Sequence, residues 1–202
     1  VFAAGSMLIA EMTAEEIVSK HIEAIGGEEA YANLESIVMK GNMFAQGMPL
    51  DFTSYLVMPD KAYMEASTNN MVVFSGGTDG KEAWAKSAMV GAVILEGAEK
   101  ESAMDQTELS RFVDYKDKGF TIRYVGEDMV KGAKTYKVEL VDPEDNDTTV
   151  YYFDAETYYI LREKSAGNTI TYSKHQKVGD KIVRPFKVNI SGPGAQGQRM
   201  IT

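Results

Sequence analysis

The 202-residue chain contains no cysteine. That absence removes disulfides, thiolate nucleophiles, zinc–thiolate centres and lipid attachment through an N-terminal cysteine in one step. Histidine is nearly missing as well, with only His21 and His175, and Trp84 is the single tryptophan. Positive charge is the minority: 21 Lys and Arg against 30 Asp and Glu leave a net charge of −9 and an isoelectric point near 4.8. A protein that neutralises phosphates needs a basic footprint, so the composition argues against nucleic acid as a partner and against docking on anionic lipid surfaces. The opening "VFAAGSMLIA" is apolar but far too short to span a bilayer, which takes about 20 residues. Its length and small residues fit the trailing part of a secretory leader. Residues 1–12 are therefore expected to be a leader remnant or tail, and the chain to be exported to the periplasm of a Gram-negative cell.

What is present is enough apolar residue, 44% of the chain, for one domain with a substantial core. Thr13-Ala-Glu-Glu16 is a capping box that opens a helix. Ile17, Val18, His21, Ile22 and Ile25 then recur at helical spacing, and Gly26-Gly27 ends the run. A short second helical turn, "EEAYANL", follows. From Leu34 onward the period is two. "SIVMKGNMFA", "LDFTSYLVM", "KAYMEAS", "NMVVFSG" and "KEAWAKSA" read as short half-buried strands broken by turn residues. A helical interlude, "EGAEKESAMDQTELSRFVDY", separates them from six more, "FTIRYVGEDMV" to "KIVRPFKVNIS". The pattern predicts a mainly β fold with a helical lid (α+β): an open, strongly curved antiparallel half-barrel of about eleven strands, since a sheet that long must curl. The domain is expected over 13–191. The glycine-rich 192–202 has no hydrophobic period and reads as a flexible tail.

Little in the chain promises chemistry. His21 lies on the apolar stripe of the first helix and reads as a packed imidazole, while alternation sends His175 outward. No serine stands in a nucleophile elbow, and "GGTDGK" lacks the spacing and helix of a phosphate loop. "VDPEDNDTT" offers Asp142, Asp145 and Asp147 but lacks the glycine and distal glutamate of a calcium loop, so a solvated hairpin tip is expected. The expectation is a protein that is not an enzyme, with no catalytic residue, no metal and no cofactor.

Methionine, by contrast, is abundant: twelve in all, with Met39, Met43, Met48, Met58, Met64, Met71 and Met89 crowded into the first half of the sheet. Flexible thioethers adapt to irregular apolar partners, so the set argues for a soft pocket wall. Alternation puts Ile37, Met39 and Met43 on one side of their strand and Leu50, Phe52, Leu56 and Met58 on one side of the next. Met64, Val73 or Phe74, and Trp84 continue that face, with Phe74 taken as the candidate. Ile17, His21, Ile22, Ile25, Met104 and Leu109 are the expected lid. "YYFDAETYYILREKS" reads as two strands joined at Asp154–Thr157, with Tyr151 and Phe153 on one face and Tyr152 on the other.

The order of these segments resembles the outer-membrane lipoprotein-sorting proteins, the LolA/LolB-like superfamily, over most of the chain, from about Thr13 to Ile190. The likeness rests on the helix ending in "IGG", on "MPDKAYME" and "TDGKEAW", on "VDYKDKGFTIRYVGEDMVKGAKTYKVEL", and on "YSKHQKVGDKIVRPFKV". It implies an open barrel plugged by helices, whose hydrophobic cavity takes up lipoprotein acyl chains for transfer across the periplasm. Thr78-Asp79-Gly80-Lys81 with Trp84 matches a turn of that family, and Lys61–Met64 matches the strand after its Arg-Pro-Asn turn. The family's arginine before that proline serves lid opening; here the position is Met58. The implied ligand is a lipid or lipoprotein acyl chain, delivered by a monomer that meets an inner- or outer-membrane transfer partner. The alternative is a periplasmic sensor or interaction module on the same scaffold that binds a protein.

Overall fold

The computed structural model describes residues 12–45, 47–144, 146–179, 181–193 and 195–201; the predicted leader remnant lies almost wholly outside them. The capping box forms as expected. The Thr13 amide donates to Glu16 Oε2 at 2.9 Å, and the Glu16 amide donates to Thr13 Oγ1 at 3.2 Å. Helix α1 (Ala14–Ala24) buries Ala14, Ile17, Val18, His21 and Ile22. Past its end, Gly26 and Gly27 take φ of +126° and +86°, a region glycine enters without cost. A second, one-turn helix, α2 (Glu28–Ala32), follows.

Alternation then takes over, in two meanders. The first is β1 (Ser36–Ala45), β2 (Met48–Val57), β3 (Lys61–Thr68), β4 (Met71–Thr78), β5 (Ala83–Ser87) and β6 (Gly91–Leu95). Helix α3 (Gly97–Met104) and a 3-10 turn at Asp105–Thr107 lead to the second: β7 (Thr121–Val130), β8 (Ala133–Val141), β9 (Thr148–Asp154), β10 (Ile160–Ser165), β11 (Asn168–Val178), β12 (Ile182–Gly192) and β13 (Ala195–Ile201). All thirteen form one open sheet in the order β6-β5-β4-β3-β2-β1-β13-β12-β11-β10-β9-β8-β7.

Among the described residues, two strands exceed the eleven expected. β6, "GAVIL", had no strand expectation, because it runs straight into the helical interlude. The larger correction is β13: the stretch read as a flexible tail pairs on both sides. Met200 opposes Lys187 of β12, and Ile201 opposes Gly41 of β1. Ladder hydrogen bonds use the backbone alone, so a strand flanked on both sides can form without hydrophobic alternation. This strand is the seam that joins the two meanders.

Gly41 sits at that seam. A Cβ there would run onto the Met200 carbonyl and within 2.9 Å of Ile201 Cα. Gly41→Ala is expected to cost roughly 1–3 kcal/mol by forcing β1 and β13 apart. Urea unfolding would read the loss, and amide exchange should quicken first in those two strands. An unchanged midpoint would contradict the pairing.

The core lies on one face of the sheet. Ile17, Val18 and Ile22 of α1 pack with Phe112, Val138, Leu140 and Phe153. A smaller cluster gathers Ile37, Leu56 and Ile182, with Leu34 and Leu109 against them. Helix α1 thus covers the second meander, while α3 contacts β4 and β5 of the first.

Candidate ligand-binding face and cavity

Strand register decides which side chains share a face. Across β1 and β2, Ile37 opposes Leu56, Met39 opposes Ser54, Gly41 opposes Phe52 and Met43 opposes Leu50. Ala62, Met64 and Ala66 of β3 stand opposite Leu56, Ser54 and Phe52. Phe74 and Gly76 of β4 in turn oppose Ala66 and Met64. Directly opposed residues lie on the same side of an antiparallel sheet. The structure therefore brings Ile37, Met39, Met43, Leu50, Phe52, Leu56, Met64 and Phe74 onto one wall. Small residues, Gly41, Ala62, Ala66 and Gly76, leave room between the large ones. Beyond the end of β2, Met58 packs on the Ile37–Leu56–Ile182 cluster.

Trp84 is a correction. It opposes Gly77, which opposes Tyr63, so it lies on the other face. There Tyr55, Tyr63 and Trp84 form a row with ring centroids 6.1 Å apart at each step. The turn sets this register: Asp79 Oδ1 accepts from the Lys81 and Glu82 amides, and the Thr78 hydroxyl donates to the Glu82 carbonyl. Thr78 then pairs with Ala83, and Ala83 and Ala85 take the places on the wall that Trp84 was expected to fill. Met48, Met71 and Met89 depart likewise from the pocket-wall reading, at 51%, 65% and 95% exposure. They stand at strand starts and in a turn, where there is no wall to join.

The expected lid residues divide between three places. Ile17 and Ile22 are buried against the second meander. His21, Ile25 and Leu109 reach a cavity of about 370 Å³ beside β9–β12. Met104 and Leu109 meet Met58 around another of about 700 Å³. Over the wall itself, a cavity of about 580 Å³ runs between α3 and β4–β6, lined by Phe74, Ala85, Val93, Leu95 and Ala103.

The 370 Å³ cavity is polar in its middle, which the sequence reading missed. Arg111 holds Asp105 at 3.2 Å and Glu108 at 3.5 Å. The Tyr172 hydroxyl donates to the Glu163 carboxylate; burial raises the Glu163 pKa above the usual carboxylate range, with Tyr172 and Arg111 pulling it back. Burial also lifts the Tyr151 and Tyr172 hydroxyls well above their ordinary values. Arg184 Nη1 donates to the Leu109 carbonyl, and the guanidinium is also hydrogen-bonded to the Tyr31 hydroxyl. A signal for this site was available: Glu163 opposes Tyr151, in phase with the inward Phe153.

Both histidines line it. His21 is packed, as expected: its Nδ1 lies 2.8 Å from the Tyr158 carbonyl, and its ring stands edge-on to Phe112 and Phe153 at 5.7 and 5.1 Å. The Nδ1–H tautomer is the one that can donate to that carbonyl. Burial lowers its pKa to about 4. His175 is not outward. It stacks on Tyr159 at 4.6 Å, because Lys174 takes φ +56° and interrupts the alternation. Its pKa is lowered too, chiefly by burial.

The tyrosine-rich hairpin divides as alternation required. Tyr151 and Phe153 face the core cluster. Tyr152 lies on the other side, beneath Arg162 at 5.3 Å and Lys164 at 5.5 Å. Asp154 Oδ1 ties the turn by accepting from the Glu156 and Thr157 amides and the Thr157 hydroxyl. Among the described residues, no group of three or more His, Asp or Glu is placed to hold a metal ion. Of the acidic hairpin tip, Asp145 lies outside them.

No known family's sequence profile matches the chain, and no curated protein matches it. Solved structures do. One is a domain assigned to outer-membrane lipoprotein sorting from Vibrio parahaemolyticus, with TM-score 0.62 at 10% identity, covering 93% of this chain and 88% of that one. Another is a DUF1329 family protein from Desulfovibrio piger, with TM-score 0.62 at 13% identity and coverage of 93% and 89%. A LolA superfamily protein from Nitrosomonas europaea gives TM-score 0.59 at 10% identity, covering 95% and 91%. At such identities the likeness is one of fold, and the fold is LolA-like, as the segment order implied. No described helix is long and apolar enough to cross a membrane.

Proposed function

We propose that this chain is a non-enzymatic periplasmic carrier that holds acyl chains of lipids or lipoproteins against the wall of β1–β4, on a curved half-barrel. The observation that supports this most is the wall itself: eight large apolar side chains from four strands on one face, spaced by glycine and alanine. Apart from Ser54, which stands between Met39 and Met64, and Arg199, which opposes Met43 at the edge, such a surface offers dispersion contacts, which suits an aliphatic chain. The solved structures of the same fold include one assigned to lipoprotein sorting.

The purified protein is expected to take up a fluorescent acyl probe. Met64 and Tyr63 are sequence neighbours on opposite faces, so they make a matched pair. Met64→Asp should weaken uptake roughly tenfold or more, by setting a charge against the chain, while Tyr63→Asp should leave it within about twofold. A folded protein that takes up no probe, with or without native lipid extract, would remove the proposal.

The outer face favours a second reading. Val38 opposes Tyr55, Tyr55 opposes Tyr63, and Trp84 opposes Ile94, making an apolar row on which Val38 and Ile94 are 52% and 63% exposed. Exposed rows of this kind mark protein contacts. A sensor on this scaffold would form a stable complex through Trp84 and Tyr55, and would not move lipid between vesicles.

A further inference from the structure

We infer that the 370 Å³ cavity seats the oxyanion head of a single-chain lipid, a carboxylate or a phosphate, with Arg184 as its anchor. This rests on the acyl-carrier reading and names the ligand class for it.

The first ground is an unmet donor. Arg184 Nε is buried and has no hydrogen-bond partner among the described residues, although Nη1 is engaged by the Leu109 carbonyl. A buried N–H on a charged group is costly to leave unpaired, and a guanidinium fork matches two oxygens of a carboxylate or phosphate. Arg162 Nε is unpaired as well. That guanidinium, however, lies over the Tyr152 ring on the other face and lines no cavity described above.

The second ground is charge pairing inside the cavity. Arg111 is matched by Asp105 and Glu108, and Glu163 is held by Tyr172. Arg184 has no carboxylate partner among the described residues. Of the two arginines that line this cavity, it is the one left to receive an anion from outside.

The third ground is continuity with the wall. Leu109, whose carbonyl Arg184 holds, lines the cavity and also packs on the Ile37–Leu56–Ile182 cluster. A head group at Arg184 therefore leaves its chain beside Leu109, at the start of the apolar wall. Acyl groups joined to a protein by ester or amide bonds carry no charge at their carbonyls. An anionic head thus favours a free fatty acid or a lysophosphatidate over a lipoprotein.

The test is displacement of an uncharged fluorescent acyl amide by palmitoleate, palmitoleoyl lysophosphatidate and palmitoleyl alcohol. On the unaltered protein the two anions should displace the probe roughly tenfold better than the alcohol. Arg184→Met should close that gap while leaving the alcohol within about twofold, and Arg184→Lys should keep part of it. Acetate and inorganic phosphate, which lack a chain, should not displace the probe at millimolar concentration. Equal displacement by acid and alcohol overturns the anchor and leaves the carrier reading standing. A gap that survives Arg184→Met has the same consequence. Displacement by inorganic phosphate alone would make this a free-anion site and overturn the lipid head. If no chain of any kind is taken up, the carrier reading falls and this inference with it. Should Arg184→Met melt early, the acid-to-alcohol comparison on the unaltered protein and on Arg184→Lys still decides.

Discussion

Phe153→Ala is expected to destabilise the protein by roughly 3–5 kcal/mol, lowering its melting temperature by roughly 10 °C or more. Phe153 is fully buried. Its ring stands edge-on to His21 at 5.1 Å and to Phe112 at 5.3 Å, so it joins β9 to α1 and to the segment leading out of the 3-10 turn. Truncation loses the transfer free energy of the ring and leaves a void among side chains that are themselves held by neighbours. The loss also reaches the polar cavity, since His21 and Phe112 both line it. Urea unfolding measures the effect directly. Val38→Ala, on the exposed outer face, is the control and should stay within about 0.5 kcal/mol. A loss below about 1 kcal/mol for Phe153→Ala would contradict this packing.

Acidification is expected to destabilise the fold through His21. Its pKa is lowered to about 4 by burial, against about 6.5 in an unfolded chain. Between these values the unfolded state binds more protons than the folded one. The stability His21 contributes is thus fully present above about pH 6.5 and is lost progressively as pH falls toward 4. A gap of this size corresponds to about 3 kcal/mol. His175, also lowered, acts in the same direction. Glu163 acts oppositely: its raised pKa means the folded state holds the proton more tightly, which stabilises the fold as pH falls. The His21 share is therefore read as the difference in pH slope between the unaltered protein and His21→Gln, which should lose most of the dependence between pH 6.5 and 4. With only two histidines in the chain, the imidazole resonances can be assigned with one variant. A His21 ring that titrates near pH 6.5 in the folded protein would refute the assignment.

The two results bear on different parts of the protein. The Phe153 experiment reads the packing of α1 on the second meander. The His21 experiment reads how dry the edge of the Arg184 cavity is, because the ring's depressed pKa comes first from lost hydration. A lipid oxyanion seated at Arg184 would bring negative charge into the cavity that His21 lines, which favours the imidazolium and should raise the His21 pKa.

Much of the fold was legible in particular residues. Thr13 and Glu16 announced α1 because a capping box is a local device whose partners are three residues apart. Tyr151, Tyr152 and Phe153 sorted to their faces because alternation belongs to a single strand. The wall residues from Ile37 to Phe74 were legible for the same reason, once each strand's apolar side was taken to be its buried side. Arg111 and Arg184 were not. Arg111 meets Asp105 and Glu108 within its own segment, but Leu109 reaches Arg184, 75 residues away, only when the segment after α3 folds back over β12.

What the sequence determined by itself was therefore local: where helices start and stop, which segments are strands, and which side chains within a strand share a side. Only the tertiary structure decided how strands face one another. The Asp79 turn set a register that put Ala83 and Ala85 on the wall and turned Trp84 away, and the left-handed Lys174 brought His175 in. A tail with no hydrophobic period became β13, the seam of the whole sheet. The physical reason is common to all three. Period two fixes sides within one strand, but pairing between strands is made by backbone hydrogen bonds and turn geometry, and side-chain patterns carry little record of either.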